Sequence, residues 1–172
     1  MTPHVSLRQV EPADLPILFA HQADAEAARL AAFATRDHDA FMAHWQKIMA
    51  NPQLDARTIL ADGAVAGNIG SWSSGSDRMV GYWIGREYWG RGVATAALTQ
   101  FLREVPHRPL VARVAKHNPG SIRVLQKCGF RVIGEETSPG PDGQPVGEFV
   151  FSLSDPPPAY TSPACSMPEI RD

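Results

Sequence analysis

The chain has 172 residues, 44% hydrophobic and 20% charged, with a formal net charge of -2 at pH 7. That length fits one globular domain, and the composition excludes a disordered chain, a collagen-like fibre and a coiled coil. A near-neutral chain cannot coat nucleic acid or an anionic membrane with positive field, and two cysteines, Cys128 and Cys165, make neither a disulfide framework nor a zinc site.

The net charge conceals an uneven distribution. Residues 1–77 carry 5 basic and 9 acidic side chains, residues 78–131 carry 10 and 2, and residues 132–172 carry 1 and 7. The segment nets are therefore -4, +8 and -6. A stretch of +8 is either a solvated face or the seat of a compact polyanion, and the second reading needs a geometry that can hold one. The first ten residues lack the apolar core of a signal peptide, and no apolar run reaches transmembrane length. A cytoplasmic location is expected, which suits unpaired thiols.

Val5 to Val10 alternates like a strand, and Glu11-Pro12-Ala13-Asp14 opens a helical stretch reaching about Glu26, with proline in its first turn. Asp37 to Met49 is a second helix, with Phe41, Trp45, Ile48 and Met49 at helical spacing and Asn51-Pro52 as its stop. Arg57–Ala61 and Ala64–Trp72 read as strands joined by the hairpin signal Asp62-Gly63, and Met79–Ile84 is a third strand. A helix follows Trp89-Gly90-Arg91-Gly92-Val93-Ala94 and runs through Glu104, with Pro106 and Pro109 beyond it. Leu110–Ala115 is a strand, Ser121–Cys128 a short helix closed by Gly129, and Phe130–Gly134 and Glu148–Leu153 are two last strands. Prolines and absent periodicity make residues 155–172 a tail behind a single domain at 1–154. The fold class is α/β with a mixed sheet.

A strand, a turn holding Gly90 and Gly92, and a helix form a phosphate-binding arrangement. Glycines let backbone approach a ligand closely, and the first N–H groups of the helix, on Val93, Ala94 and Thr95, have no partner within it. The turn is neither a P-loop nor a dinucleotide fingerprint, since no Gly-Lys-Ser/Thr follows and Thr95 stands where the third small residue belongs. A second constellation follows: Asn118-Pro119-Gly120-Ser121-Ile122-Arg123-Val124-Leu125-Gln126-Lys127-Cys128-Gly129-Phe130.

Together with Tyr82-Trp83-Ile84 and the glycine turn, this segment resembles the GNAT N-acetyltransferases, most closely the branch acetylating N-terminal amines of ribosomal proteins. The resemblance is strong over residues 80–134. It implies a three-layer fold with a mostly antiparallel central sheet of about seven strands, splayed at the cofactor site and flanked by about four helices. It implies acetyl-CoA as cosubstrate, no metal, and acetyl transfer to a primary amine by direct attack in a ternary complex. The pantetheine arm would lie along Tyr82 to Gly85, including Trp83, Ile84 and Gly85. The pyrophosphate would sit on the turn formed by Gly90, Arg91, Gly92, Val93, Ala94 and Thr95. Asn118 would hydrogen-bond the cofactor arm, and Ser121 would lie close to the thioester sulfur. Arg86, Arg91, Arg123 and Lys127 could add charge toward the phosphates, although each also reads as a solvated cation.

Leu125 occupies the position of the family's usual tyrosine acid, so Ser121 becomes the proton donor toward the leaving thiolate, directly or through water. Ser121 equally fits a cap of its short helix. The oxyanion donor is expected around Trp83 to Gly85. Asp77, Glu87, Glu135, Glu136, His117 and Glu148 remain undifferentiated as general base. Cys128 reads as a packed apolar residue rather than a nucleophile. The rival function is a non-catalytic acyl-CoA-binding regulatory module, and a nucleotide-binding α/β protein loses on motif grounds. The family's acceptor pocket maps onto residues 20–50 and 135–148, which are acidic here. A cationic small-molecule or peptide amine is expected as acceptor, with no nucleic acid or membrane partner, and either a monomer or a homodimer fits.

Overall fold

A computed structural model of the chain describes residues 2–154, so the tail at 155–172 and Cys165 lie outside the described residues. Seven strands form one sheet: β1 (Val5–Gln9), β2 (Asp55–Ala61), β3 (Ala64–Ser74), β4 (Asp77–Ile84), β5 (Leu110–Ala115), β6 (Arg131–Pro139) and β7 (Pro145–Leu153). Their order is β1-β2-β3-β4-β5-β7-β6, and every neighbouring pair is antiparallel except β4 and β5. Five helices accompany it: α1 (Leu15–Ala23), α2 (Ala25–Ala31), α3 (His38–Ala50), α4 (Val93–Glu104) and α5 (Pro119–Lys127). This is the mixed α/β architecture expected. None of these helices is long and apolar enough to cross a membrane.

The local chemistry accounts for the boundaries. Asp62 and Gly63 both take positive φ, 49° and 82°, the pair of left-handed residues that a tight β2–β3 turn demands. At the end of α5 the N–H of Phe130 donates to Leu125 O at 3.0 Å and that of Gly129 to Gln126 O at 3.1 Å, while Gly129 takes φ 90°. That reciprocal pattern is a Schellman close. The helix expected from residue 11 to 26 is instead broken. Pro12–Asp14 form a 3-10 turn, α1 stops at Ala23, and Asp24, in extended conformation, caps α2 by accepting from the Ala27 N–H at 2.9 Å. An N-cap aspartate inside an apolar stretch is the physical cause of the fifth helix.

Two layers of apolar side chains sandwich the sheet. On one face α4 sets Val93, Ala97, Leu98 and Phe101 against Ile59, Ile69, Val80 and Phe151. On the other, Leu15 and Leu18 of α1 meet Phe41 and Trp45 of α3. The α1 end is fastened by Asp14, which is only 2% exposed. It accepts from both terminal nitrogens of Arg8 at 2.7 and 2.8 Å, from the Thr58 hydroxyl at 2.7 Å and from the Glu11 N–H at 2.9 Å. The Arg8 bonds, more than the others, hold its carboxyl down at about 2, against the opposing effect of burial. The charge is thus fully partnered, and the clamp fixes where α1 crosses the strands.

The feature that makes a site is the parallel pair. β4 and β5 are in register only at Arg78 with Leu110 and Met79 with Val111. From Val80 onward, the side of β4 that faces β5 has no strand partner. The two strands part there, and the turn into α4 begins at the end of β4.

Candidate functional site

The glycine turn closes onto this opening. Gly90 and Gly92 take φ of 69° and 77°, the left-handed region that favours glycine, and Gly92 is the N-cap of α4 without any side-chain cap. The first backbone hydrogen bond into the helix runs from Ala96 N to Gly92 O at 3.0 Å. The N–H groups of Val93, Ala94 and Thr95 precede it and have no acceptor within the helix, so three aligned donors and the positive end of the helix dipole point out of the turn. Val93 itself is buried, which anchors this end of α4 in the core, and Arg91 is exposed with its guanidinium 5.6 Å from the Tyr88 ring centroid.

Strand alternation decides which groups of β4 face the opening. The Gly85 N–H donates to Ala66 O of β3 at 2.8 Å, whereas Ile84 O accepts from the Trp89 indole at 2.9 Å. Residues of the parity of Gly85 therefore spend their backbone groups on β3, and the N–H groups of Tyr82 and Ile84 face the β5 side. Among the three residues expected to supply an oxyanion donor, Trp83 and Gly85 are thereby used up and Ile84 has the open N–H. Gly85 has a further reason to be glycine: a Cβ there would lie 2.6 Å from His21 Nε2.

Asn118 and Ser121 stand across the opening at the start of α5. The Ser121 N–H donates to Asn118 Oδ1 at 3.2 Å, so the cap is Asn118, not Ser121, and the serine hydroxyl is spared. That hydroxyl meets the Tyr82 hydroxyl at 2.8 Å, which bridges β4 to α5 where the sheet parts. Burial pushes the Tyr82 phenol above its usual range, an effect the Ser121 bond opposes only in part, so the phenol stays protonated at any working pH. The sequence places Tyr82 only along the cofactor strand. Its hydroxyl arrives from β4 at the serine that the missing helix tyrosine leaves alone, while Leu125 is wholly buried.

A cavity of about 580 Å³ lies beside β3 and β4 on the α3 side, with Gly81, Tyr82 and Trp83 in its wall. Its walls come from α1, the segment between α2 and α3, α3, and β2 to β4, and nothing from residues 135–148 lines it. Of the two segments expected at the acceptor pocket, 20–50 therefore contributes to this cavity and 135–148 does not. The acidic side chains of the expected segments are engaged elsewhere: Asp37 caps α3, Glu26 pairs with Arg29 at 2.7 Å, Glu135 with Lys116 at 2.6 Å and Glu136 with Arg113 at 2.8 Å. Asp77, Glu87, Glu135, Glu136, His117 and Glu148 all lie outside the lining, and His117 is held at 2.8 Å from Arg29 O. The flanking negative charge therefore partly cancels the basic middle. Arg91, Arg123 and Lys127 form no ion pair with a described residue, whereas Arg86 stands 3.7 Å from Asp24.

Two histidines escape the sequence reading. His44 lines the cavity, and burial, then Arg36 and Lys47, lower its pKa, so its imidazole is in the neutral form at pH 7. His21 is 6% exposed with Nδ1 unpartnered and Nε2 3.5 Å from Glu87. Burial lowers its pKa despite Glu87, and its backbone oxygen takes the Trp83 indole N–H at 3.1 Å. It wedges α1 against the end of β4. Cys128 is half-buried, and burial pushes its thiol up, the opposite of nucleophile activation. No group of three or more possible metal ligands occurs among the described residues.

Residues 4–131 match the family described as the acetyltransferase (GNAT) domain. No curated protein matches. Among solved structures, an acetyltransferase of the GNAT family from Bacillus anthracis is 15% identical, covering 90% of this chain and 96% of its own, with a TM-score of 0.76. Spermidine N-acetyltransferase from Vibrio cholerae, solved with CoA and spermine, is 14% identical over 88% of this chain and 95% of its own, at TM-score 0.77. A ribosomal-protein-alanine N-acetyltransferase from Brucella melitensis is 18% identical over 87% and 99%, at TM-score 0.74. At such identities these likenesses speak for the fold, and the ribosomal-protein enzyme is one neighbour among several.

Proposed function

The chain belongs to the GNAT acetyltransferases and is an acyltransferase, and we propose that it moves the acetyl group of acetyl-CoA to a primary amine by direct attack in a ternary complex. The observation that carries this reading is the meeting of three things at one opening: the uncapped N-terminus of α4, the unpaired edge of β4 after Met79, and the Tyr82–Ser121 hydroxyl pair. The residues present suit acetyl-CoA. The N–H groups of Val93, Ala94 and Thr95 would take its pyrophosphate, with Arg91, Arg123 and Lys127 as flanking charge. The β4 edge at Tyr82 and Ile84 would hold the amide-bearing arm in the manner of an added strand, and Asn118 Nδ2, left over from capping, would donate to it.

Acetyl-CoA supplies the activated acyl group. The chain supplies position, a dry site and protons. The amine nitrogen attacks the thioester carbon, and the C–S bond breaks. The Ile84 N–H would stabilise the oxyanion, since it faces the opening without a strand partner. Tyr82, fixed in its protonated form, would donate to Ser121 Oγ and leave the serine proton aimed at the departing sulfur. His44, neutral and inside the cavity, would take the proton the amine sheds. The Tyr82–Ser121 hydroxyl pair and a neutral His44 favour turnover over a non-catalytic acyl-CoA-binding module. Cytoplasmic action accords with this chemistry. Calorimetric titration with acetyl-CoA should give binding in the micromolar range; no binding to folded protein overturns the reading.

A further inference from the structure

The cavity beside β4 has a chemical bias of its own. Its walls are aromatic, with Phe33, Trp45, Trp72 and Trp83 among them, and two ionised side chains reach it, Arg36 and Asp55. The Asp55 charge is already matched, because Arg78 Nη2 stands 2.8 Å from its carboxylate. Arg36 is half-buried and makes no ion pair with any described residue. Its guanidinium lies 5.2 Å from the Phe33 ring centroid, and among the described residues only its backbone oxygen is hydrogen-bonded, by Gln22 Nε2 at 3.1 Å. His44 beside it is kept neutral, partly by Arg36 itself. The cavity thus holds one unmatched positive charge in an apolar frame, and no unmatched negative charge.

Building on the acetyl-transfer reading, we infer that the acceptor is an amine with an aromatic or apolar body and a carboxylate, and that Arg36 is the carboxylate's partner. A guanidinium offers a planar fork of donors that matches a carboxylate, and a half-buried position shields the pair from water. The indole and phenyl walls take the body, where flat rings gain most from offset or edge contacts. A polyamine would need carboxylates at its ammonium groups, and this cavity offers none that is free.

The test is a matched panel assayed at saturating acetyl-CoA: 4-(aminomethyl)benzoate against benzylamine, L-phenylalanine against L-phenylalaninamide, and spermidine. At least one acid should exceed its neutral counterpart, and spermidine, in kcat/KM by about 10- to 100-fold, the range of a charge-assisted bond. Arg36→Gln should bring that ratio close to one with the affinity for acetyl-CoA unchanged; because the ratio is taken within each variant, any change at His44 that follows the loss of the Arg36 charge acts on acid and neutral counterpart alike. Ratios near one in the natural protein, a preference for spermidine, or a ratio indifferent to Arg36→Gln overturns the proposal. Quenching of tryptophan fluorescence by the two acids and their neutral counterparts decides the anion preference even without turnover. Acetyl-CoA titration of the same samples reports separately on the acetyl-transfer reading.

Discussion

Gly92→Glu is expected to raise the Kd for acetyl-CoA by about 100-fold or more, a loss that amounts to abolished binding in a micromolar assay. Three effects act together. Gly92 has φ 77°, and an L side chain in the left-handed region costs about 1–2 kcal/mol. The new carboxylate would cap the N–H groups of α4 itself, removing charge-assisted bonds worth about 1.5–3 kcal/mol each to a phosphate. It would also set like charge against like. Space is not the issue, since a Cβ at Gly92 meets nothing nearer than Thr2 Cγ2 at 3.5 Å. Gly92→Ala therefore separates strain from charge: it should lower thermal stability yet keep binding within about tenfold. If Gly92→Glu folds and binds acetyl-CoA as the natural protein does, the pyrophosphate does not sit on this turn.

Tyr82→Phe and Ser121→Ala should each lower kcat by about 100-fold, the lower range of what a positioned proton donor supplies, with KM for the amine and affinity for acetyl-CoA nearly unchanged. The two hydroxyls are 2.8 Å apart and are assigned one proton path. The double variant should therefore be no slower than the slower single variant, because residues acting as a unit are not additive. Phenylalanine keeps the ring that packs against the main core, so folding should suffer by only about 1 kcal/mol, the value of one hydrogen bond. Losses that multiply, or a change in KM alone, would show that the hydroxyls do not form one relay to the sulfur.

What was legible in the chain was what local chemistry governs. Asp62-Gly63, Gly90 and Gly92, and Gly129 all take the positive φ that their residue types favour, and the strands they delimit fall within a few residues of expectation except β6, which pairs with β7 on to Pro139, past the end expected at Gly134. Parts of the site depend on register and were not legible. Tyr82 reaches Ser121 because β4 and β5 separate after two pairs, a fact no local pattern encodes. The choice of Ile84 among three neighbouring N–H groups follows from the Gly85 bond to Ala66 on another strand. His21 and His44 sit on helices whose apolar spacing says only that they pack. The charge arithmetic located the basic stretch correctly, but ion pairs such as Glu135–Lys116 cross between its segments. A segment sum cannot see such pairing, which is why acidic flanks did not make an acidic cavity.

The most direct test of acetyl transfer mixes the protein with acetyl-CoA and a primary amine and follows three quantities in one sample: free CoA thiol, acetylated amine and intact protein mass. Direct transfer predicts thiol and acetylated amine rising in equal amounts while the protein mass stays unmodified throughout. Tight acetyl-CoA binding without thiol release, or an acetylated protein that accumulates before amine is added, would contradict it.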